Sequence, residues 1–183
     1  MQTTLLGLAI AIILALVAAL VGPLLIDWGS YRSIFEAEAT RLAGVEVRVK
    51  GDIDARLLPS PQLTLHDIEI GAPGPEQMRA RALDIEFALA PLVRGEWQAS
   101  ELHLTGPQMR LGLDKNGQVA APTLAVGFKP EAIAIDRLSI DDGRLTLTDA
   151  ANGGSVTLES LYFNGTATSL RGPYRGEGDV VVA

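Results

Sequence analysis

Residues 102–111 read LHLTGPQMRL and residues 138–147 read LSIDDGRLTL. In both, apolar residues take alternate positions on either side of a Gly-containing break, which in a strand sends them to one face and their neighbours to the other. The two stretches also match at an offset of 36: Leu102, Leu104, Met109 and Leu111 fall on Leu138, Ile140, Leu145 and Leu147, and Asn116-Gly117 falls on Asn152-Gly153. Any two hairpins share a period and turn residues, but the joint match of turn spacing and apolar pattern points to a repeating β architecture rather than a single closed barrel.

The alternation extends outward from these two stretches. It recurs at Val45, Val47 and Val49, at Leu63 and Leu65, from Leu83 to Leu89, at Leu124, Val126 and Phe128, at Ile133 and Ile135, at Val156 and Leu158, and at Val180 and Val182. Between these runs stand Gly71 to Pro75, Gly106-Pro107, Asn116-Gly117, Asp141-Asp142-Gly143 and Asn152-Gly153-Gly154, all read as turns. The parity of the apolar positions switches in places, as where Leu63 and Leu65 give way to Ile68 and Ile70, or Ile135 to Leu138 and Ile140. Such switches imply bulges that keep a long, curved strand presenting one apolar face. The expectation is mainly β: about a dozen antiparallel strands and no helix after Gly44. Such a sheet must close as a barrel, stack as a sandwich or leave a groove. Met109, Leu111, Ile140, Leu145 and Leu147 are the candidates to line its apolar surface, with Arg110, Thr146 and Thr148 on the opposite side.

Upstream the pattern changes. Leu5 to Ile26 carries no charge and as a helix would extend about 33 Å, enough to cross a hydrocarbon core of about 30 Å. A cleaved signal peptide would need a basic start and a small-residue cleavage site. Here the first basic residue is Arg32, and Pro23 to Asp27 offers no such site. The expected organisation is an uncleaved transmembrane anchor over 1–26, an amphipathic helix over 27–44 and a β-domain over 45–183. Arg32 and Arg41 alone would keep the C-terminal side cytoplasmic, but that rule weakens for long translocated domains and does not decide the orientation. Trp28 and Tyr31 sit where an interfacial aromatic belt would lie. Trp28, Tyr31, Phe35, Ala39 and Leu42 share one helical face, with Asp27 or Ser30 as cap and Gly44 as stop. That face would pack on the first strands or lie on a bilayer.

The chain's formal net charge is −7 and it contains no cysteine. The acidic balance and the lack of a basic cluster argue against nucleic acid, and the missing thiols remove disulfides, thiol catalysis and cysteine-ligated metal. His66 and His103 are 37 residues apart, with no third ligand in sight for zinc. Asp114 to Gln118 begins like a calcium loop, but Val119 and Ala125 stand where Gly and Glu are required. Asp141-Asp142 reads as a turn rather than an acid-base pair, and Asn164-Gly165-Thr166 is too short a sequon to carry weight. No catalytic residues, metal site or cofactor are expected.

Several motifs recur together. A span and a helix ending in Gly44 precede Val47-Arg48-Val49-Lys50-Gly51-Asp52-Ile53. The proline-flanked strand from Leu58 to Gly71 follows, then Ala90-Pro91-Leu92-Val93-Arg94-Gly95-Glu96, and then the hairpin from Leu102 to Gly117. In this order they resemble the N-terminal region of the AsmA-like family of bacterial envelope proteins. Gln118-Val119 departs from the aromatic often found after that last glycine, and the chain is shorter than family members usually run. It is read as the N-terminal part of a longer protein. The resemblance implies an anchor in the bacterial inner membrane, a β-domain in the periplasm, and kinship with repeating β-groove proteins that carry phospholipid. It also leaves two other roles open, a docking factor for outer-membrane assembly machinery and the anchor portion of an envelope enzyme.

Overall fold

A computed structural model describes residues 2–74, 77–94, 99–113, 135–149, 153–167 and 174–182. The apolar segment is one helix, α1 (Gln2–Val21), followed by 3-10 turns at Gly22–Leu25 and Trp28–Tyr31 and by α2 (Arg32–Ala43). Asp27 caps the second turn, accepting from the Gly29 backbone N–H at 3.1 Å and from the Ser30 hydroxyl at 2.9 Å. Gly44 ends α2 in the left-handed region at φ 71°, as a glycine stop requires.

Nine strands follow: β1 (Val47–Val49), β2 (Ile53–Arg56), β3 (Gln62–Ile70), β4 (Met78–Phe87), β5 (Ala99–Thr105), β6 (Gln108–Leu113), β7 (Ile135–Asp149), β8 (Ser155–Ala167) and β9 (Tyr174–Val182). They form one sheet in the order β1-β3-β4-β5-β7-β8-β9, with β2 continuing β1 along β3 and β6 continuing β5 along β7. Among the described residues this sheet is open, with β1 and β9 at its edges.

The sheet is mixed rather than antiparallel. Strands β5 and β6 run parallel to β7, pairing Leu102 with Leu138, Leu104 with Ile140, Met109 with Leu145 and Leu111 with Leu147. That register is the 36-residue offset, so the two repeats lie side by side in the same direction. Among the described residues there are nine strands rather than about a dozen; the strands expected at Leu124 to Phe128 and Ile133 lie outside the described residues, as do Asn116-Gly117 and Asn152. The seven strands abreast span about 29 Å, six spacings of about 4.8 Å.

Two segments expected to reverse the chain do not. Gly106-Pro107 joins β5 to β6 in one direction, and Asp142-Gly143 lies inside β7. Both belong to a crease across the sheet. Positive-φ residues Asp67 (50°), Gly106 (59°), Asp142 (54°) and Ser160 (50°) sit in β3, between β5 and β6, in β7 and in β8, at neighbouring register positions. Gly51 starts the row between β1 and β2, where a Cβ would lie 2.9 Å from the carbonyl carbon of His66. Asp and Gly serve in tight turns because they tolerate positive φ, and a bulge uses the same tolerance without reversing the strand. Each bulge shifts the side-chain parity by one, so the apolar positions stay on one face through the bend. The expected β7–β8 hairpin does form, with Asp149 donating to the Gly154 carbonyl at 2.8 Å and Gly153 at φ 71°. One short helix, α3 (Leu89–Val93), interrupts the expectation of none after Gly44.

The core lies beneath α2. Val47, Val49, Ile53, Leu65 and Ile68 are buried, and Trp28, Phe35, Ala39 and Ala43 pack against them. The helical face therefore packs on the first strands. It also protects an edge, since the outward N–H groups of Val47 and Val49 donate to Thr40 Oγ1 at 2.9 Å and Glu36 Oε1 at 2.7 Å.

Candidate functional site: the apolar face of the sheet

Cross-strand neighbours on one face of a sheet form rows perpendicular to the strands. One row runs Ile53, Leu65, Leu83, Leu104, Ile140 and Phe163. Another runs Leu63, Ile85, Leu102 and Leu138. Beyond the crease lie Met109, Leu145 and Leu158, and next to them Leu111, Leu147 and Val156. The structure thus brings all five sequence-predicted lining residues, Met109, Leu111, Ile140, Leu145 and Leu147, onto a single face. Phe163 was not among them, yet its ring lies across β8 and β9 where Gly165 and Gly176 leave room: a Cβ on either would come within 2.6 Å or 2.5 Å of the ring's Cζ.

Burial thins along these rows. Leu65 is 2% exposed beneath the α2 core, Leu104, Ile140, Leu145 and Leu147 are half-buried, and Val156 is 48% exposed. Among the described residues α2 covers only the first strands, and the side chains placed on β9 are all exposed.

The opposite face is polar. Arg79, Gln108 and Arg144 line one row, with Arg110 and Thr146 in the next, around a shallow concavity of about 190 Å³. Arg79 approaches Glu69 at 3.5 Å and Arg144 approaches Glu159 at 3.1 Å. A hydrogen bond from Lys50, assisted by the charges of Arg79 and Arg48, holds the Glu69 carboxyl below the usual carboxylate range. At the crease Arg81 donates to Asp142 at 2.8 Å, tying β4 to β7 over Gly106.

The residues considered for chemistry also lie on this polar face. His66 Nε2 is 3.7 Å from Asp54, while His103 Nε2 is 2.8 Å from Asp141 across the β5–β7 pair. Sequence spacing hid the second pair, but the 36-residue offset sets His103 opposite Ser139 and diagonal to Asp141. These three do not make a hydrolytic triad. Ser139 is 7% exposed and its hydroxyl has no hydrogen-bond partner, so it neither donates to His103 nor meets a substrate. Among the described residues no group of three His, Asp or Glu could hold a metal.

The two aromatics placed at the membrane interface diverge. Trp28 turns inward, donating from Nε1 to the Pro23 carbonyl at 2.8 Å and packing on Phe35 at 6.5 Å between centroids. Tyr31 is 48% exposed. Thr4 to Val21 within α1 is long and apolar enough to cross a membrane, and none of it is buried.

No curated protein and no solved structure matches the chain. A family model described as AsmA family matches residues 2–167. That match takes in the apolar helix, α2 and eight of the nine strands, so the chain belongs to the AsmA family, which is associated with assembly of the bacterial envelope and outer membrane.

Proposed function

We propose that the protein is anchored in the bacterial inner membrane by α1, with its β-domain in the periplasm, and that the apolar face of the sheet holds or conducts phospholipid. This role is non-enzymatic. The observation that carries it is the set of apolar rows that share one face on both sides of the crease while burial falls from Leu65 to Val156. An acyl chain of about 16 carbons costs on the order of 13 kcal/mol to expose to water, so a lipid leaving a bilayer needs a continuous apolar lining. The longest row supplies one about 24 Å wide, five spacings of about 4.8 Å. The crease serves this role by keeping the apolar side chains on one face on both of its sides.

Two measurements test the reading. The full chain, purified in detergent, should carry co-purifying phospholipid by native mass spectrometry, and Leu147→Asp should lose it; a lipid-free parent protein refutes the role. Because the chain has no cysteine, Ser155→Cys gives a single exposed label site. It should react with an impermeant maleimide in intact spheroplasts, and labelling only after lysis would refute the periplasmic placement.

A further inference from the structure

The span-proximal end of the sheet carries a second exposed apolar surface. Strand β2 packs against both 3-10 turns that follow α1. α2 then runs back along β1, with Arg32 Nη2 donating to the Gly51 carbonyl at 2.9 Å near its start and Thr40 accepting from Val47 near its end. The span therefore joins the domain beside β2, toward the end of the sheet at which β2 stops rather than the end at which β1 starts. The register puts two loops at that same end. Arg56 pairs with Gln62 and Gln62 with Glu86, and the Phe87 N–H donates to the Pro61 carbonyl at 2.8 Å. Leu57 follows Arg56 directly, and α3 begins two residues after Phe87.

These tips are apolar and solvent-facing. Leu57 is 45% exposed and Leu89 54%, beside Leu25 at 81% and Ile26 at 43% in the link from the span. Ala90 is exposed too, and the cationic residues Arg56 and Arg94 flank the two tips. Exposed apolar side chains flanked by arginine fit the boundary between acyl chains and anionic headgroups.

We propose that the Leu57 and Leu89 tips seat in the headgroup region of the same bilayer that α1 crosses, on the side where the β-domain lies. The inference rests on the reading of α1 as a span. Seated this way, the strands meet the membrane end-on, and the row from Leu63 to Leu138, the one nearest these tips, opens onto lipid.

The test uses the full chain in phosphatidylethanolamine–phosphatidylglycerol nanodiscs, with bimane on single cysteines and nitroxide lipids as quenchers. Leu57→Cys, Leu89→Cys and Ala90→Cys should lose most of their fluorescence to a headgroup-level nitroxide, Leu14→Cys should lose it to a deep-chain nitroxide, and Ser155→Cys should keep it. Ala90 is included in case labelling at either leucine disturbs folding. Quenching at Leu14 with none at the three tip positions overturns the inference while leaving the span intact. An unquenched label at Leu14 overturns the span and the inference with it. Tip labels shielded from aqueous maleimide yet unquenched by lipid would mean a protein partner there and would also overturn it.

Discussion

Replacing Leu147 with aspartate separates an open apolar face from a covered one. Leu147 pairs with Leu111 and Val156 and is half-buried. Full burial of a leucine is worth about 1.5–3 kcal/mol, so the lost apolar contact costs about 1 kcal/mol, and a carboxylate able to reach water adds little more. The expected total is about 1–2 kcal/mol, which a domain with roughly 5–15 kcal/mol of stability survives. Leu65, at 2% exposure beneath α2, is the contrast. There the same substitution leaves both a cavity and a charge without water or partner, at about 5 kcal/mol or more. Thr146→Asp, on the polar face next to Arg110, should cost nothing measurable. Urea unfolding of the full chain in detergent, followed by far-UV circular dichroism, reads all three. Equal losses for Leu147→Asp and Leu65→Asp would refute the open face, because they would require a layer over Leu147 as complete as α2 is over Leu65.

Gly106→Ala should destabilise by about 1–2 kcal/mol through its φ of 59° and should displace the Arg81 guanidinium, which would overlap the new Cβ; an unchanged urea midpoint would contradict the crease. Glu36→Ala should cost about 1–3 kcal/mol by leaving the Val49 N–H on the edge strand without its acceptor, and Glu36→Gln should recover much of this in the same unfolding assay. Glu69 has its carboxyl lowered in the folded state, so its contribution is present above the ordinary carboxylate pKa and is lost as pH falls through the lowered folded value. Glu69→Gln should accordingly flatten the acid side of the stability-against-pH curve, and an unaltered slope would show that the Lys50 contact contributes nothing.

Much of this fold was legible because a half-buried strand writes its geometry at period 2. Gly44 marked the end of α2, and the shift from Leu65 to Ile68 marked the crease at Asp67. Strand direction was not legible, because parallel and antiparallel neighbours bury the same alternate positions; only the 36-residue echo carried that information. Asp141-Asp142-Gly143 was read as a reversal because residues that permit positive φ serve turns and bulges alike. α3 is five residues with a proline inside, too short to show a helical period. The five candidate lining residues share one face because apolar parity survives the crease. The His103–Asp141 pair was missed because it exists only through the parallel register of β5 and β7.

The central claim is that one face of this sheet meets lipid and the other does not. A photoreactive amino acid at Leu111 and, separately, at its neighbour Arg110 tests it within one strand, since the two positions point to opposite faces. Irradiation in cells followed by mass spectrometry of the purified chain should yield phospholipid adducts from Leu111 and none from Arg110. Adducts from both positions in equal amount, or from neither, would contradict the account.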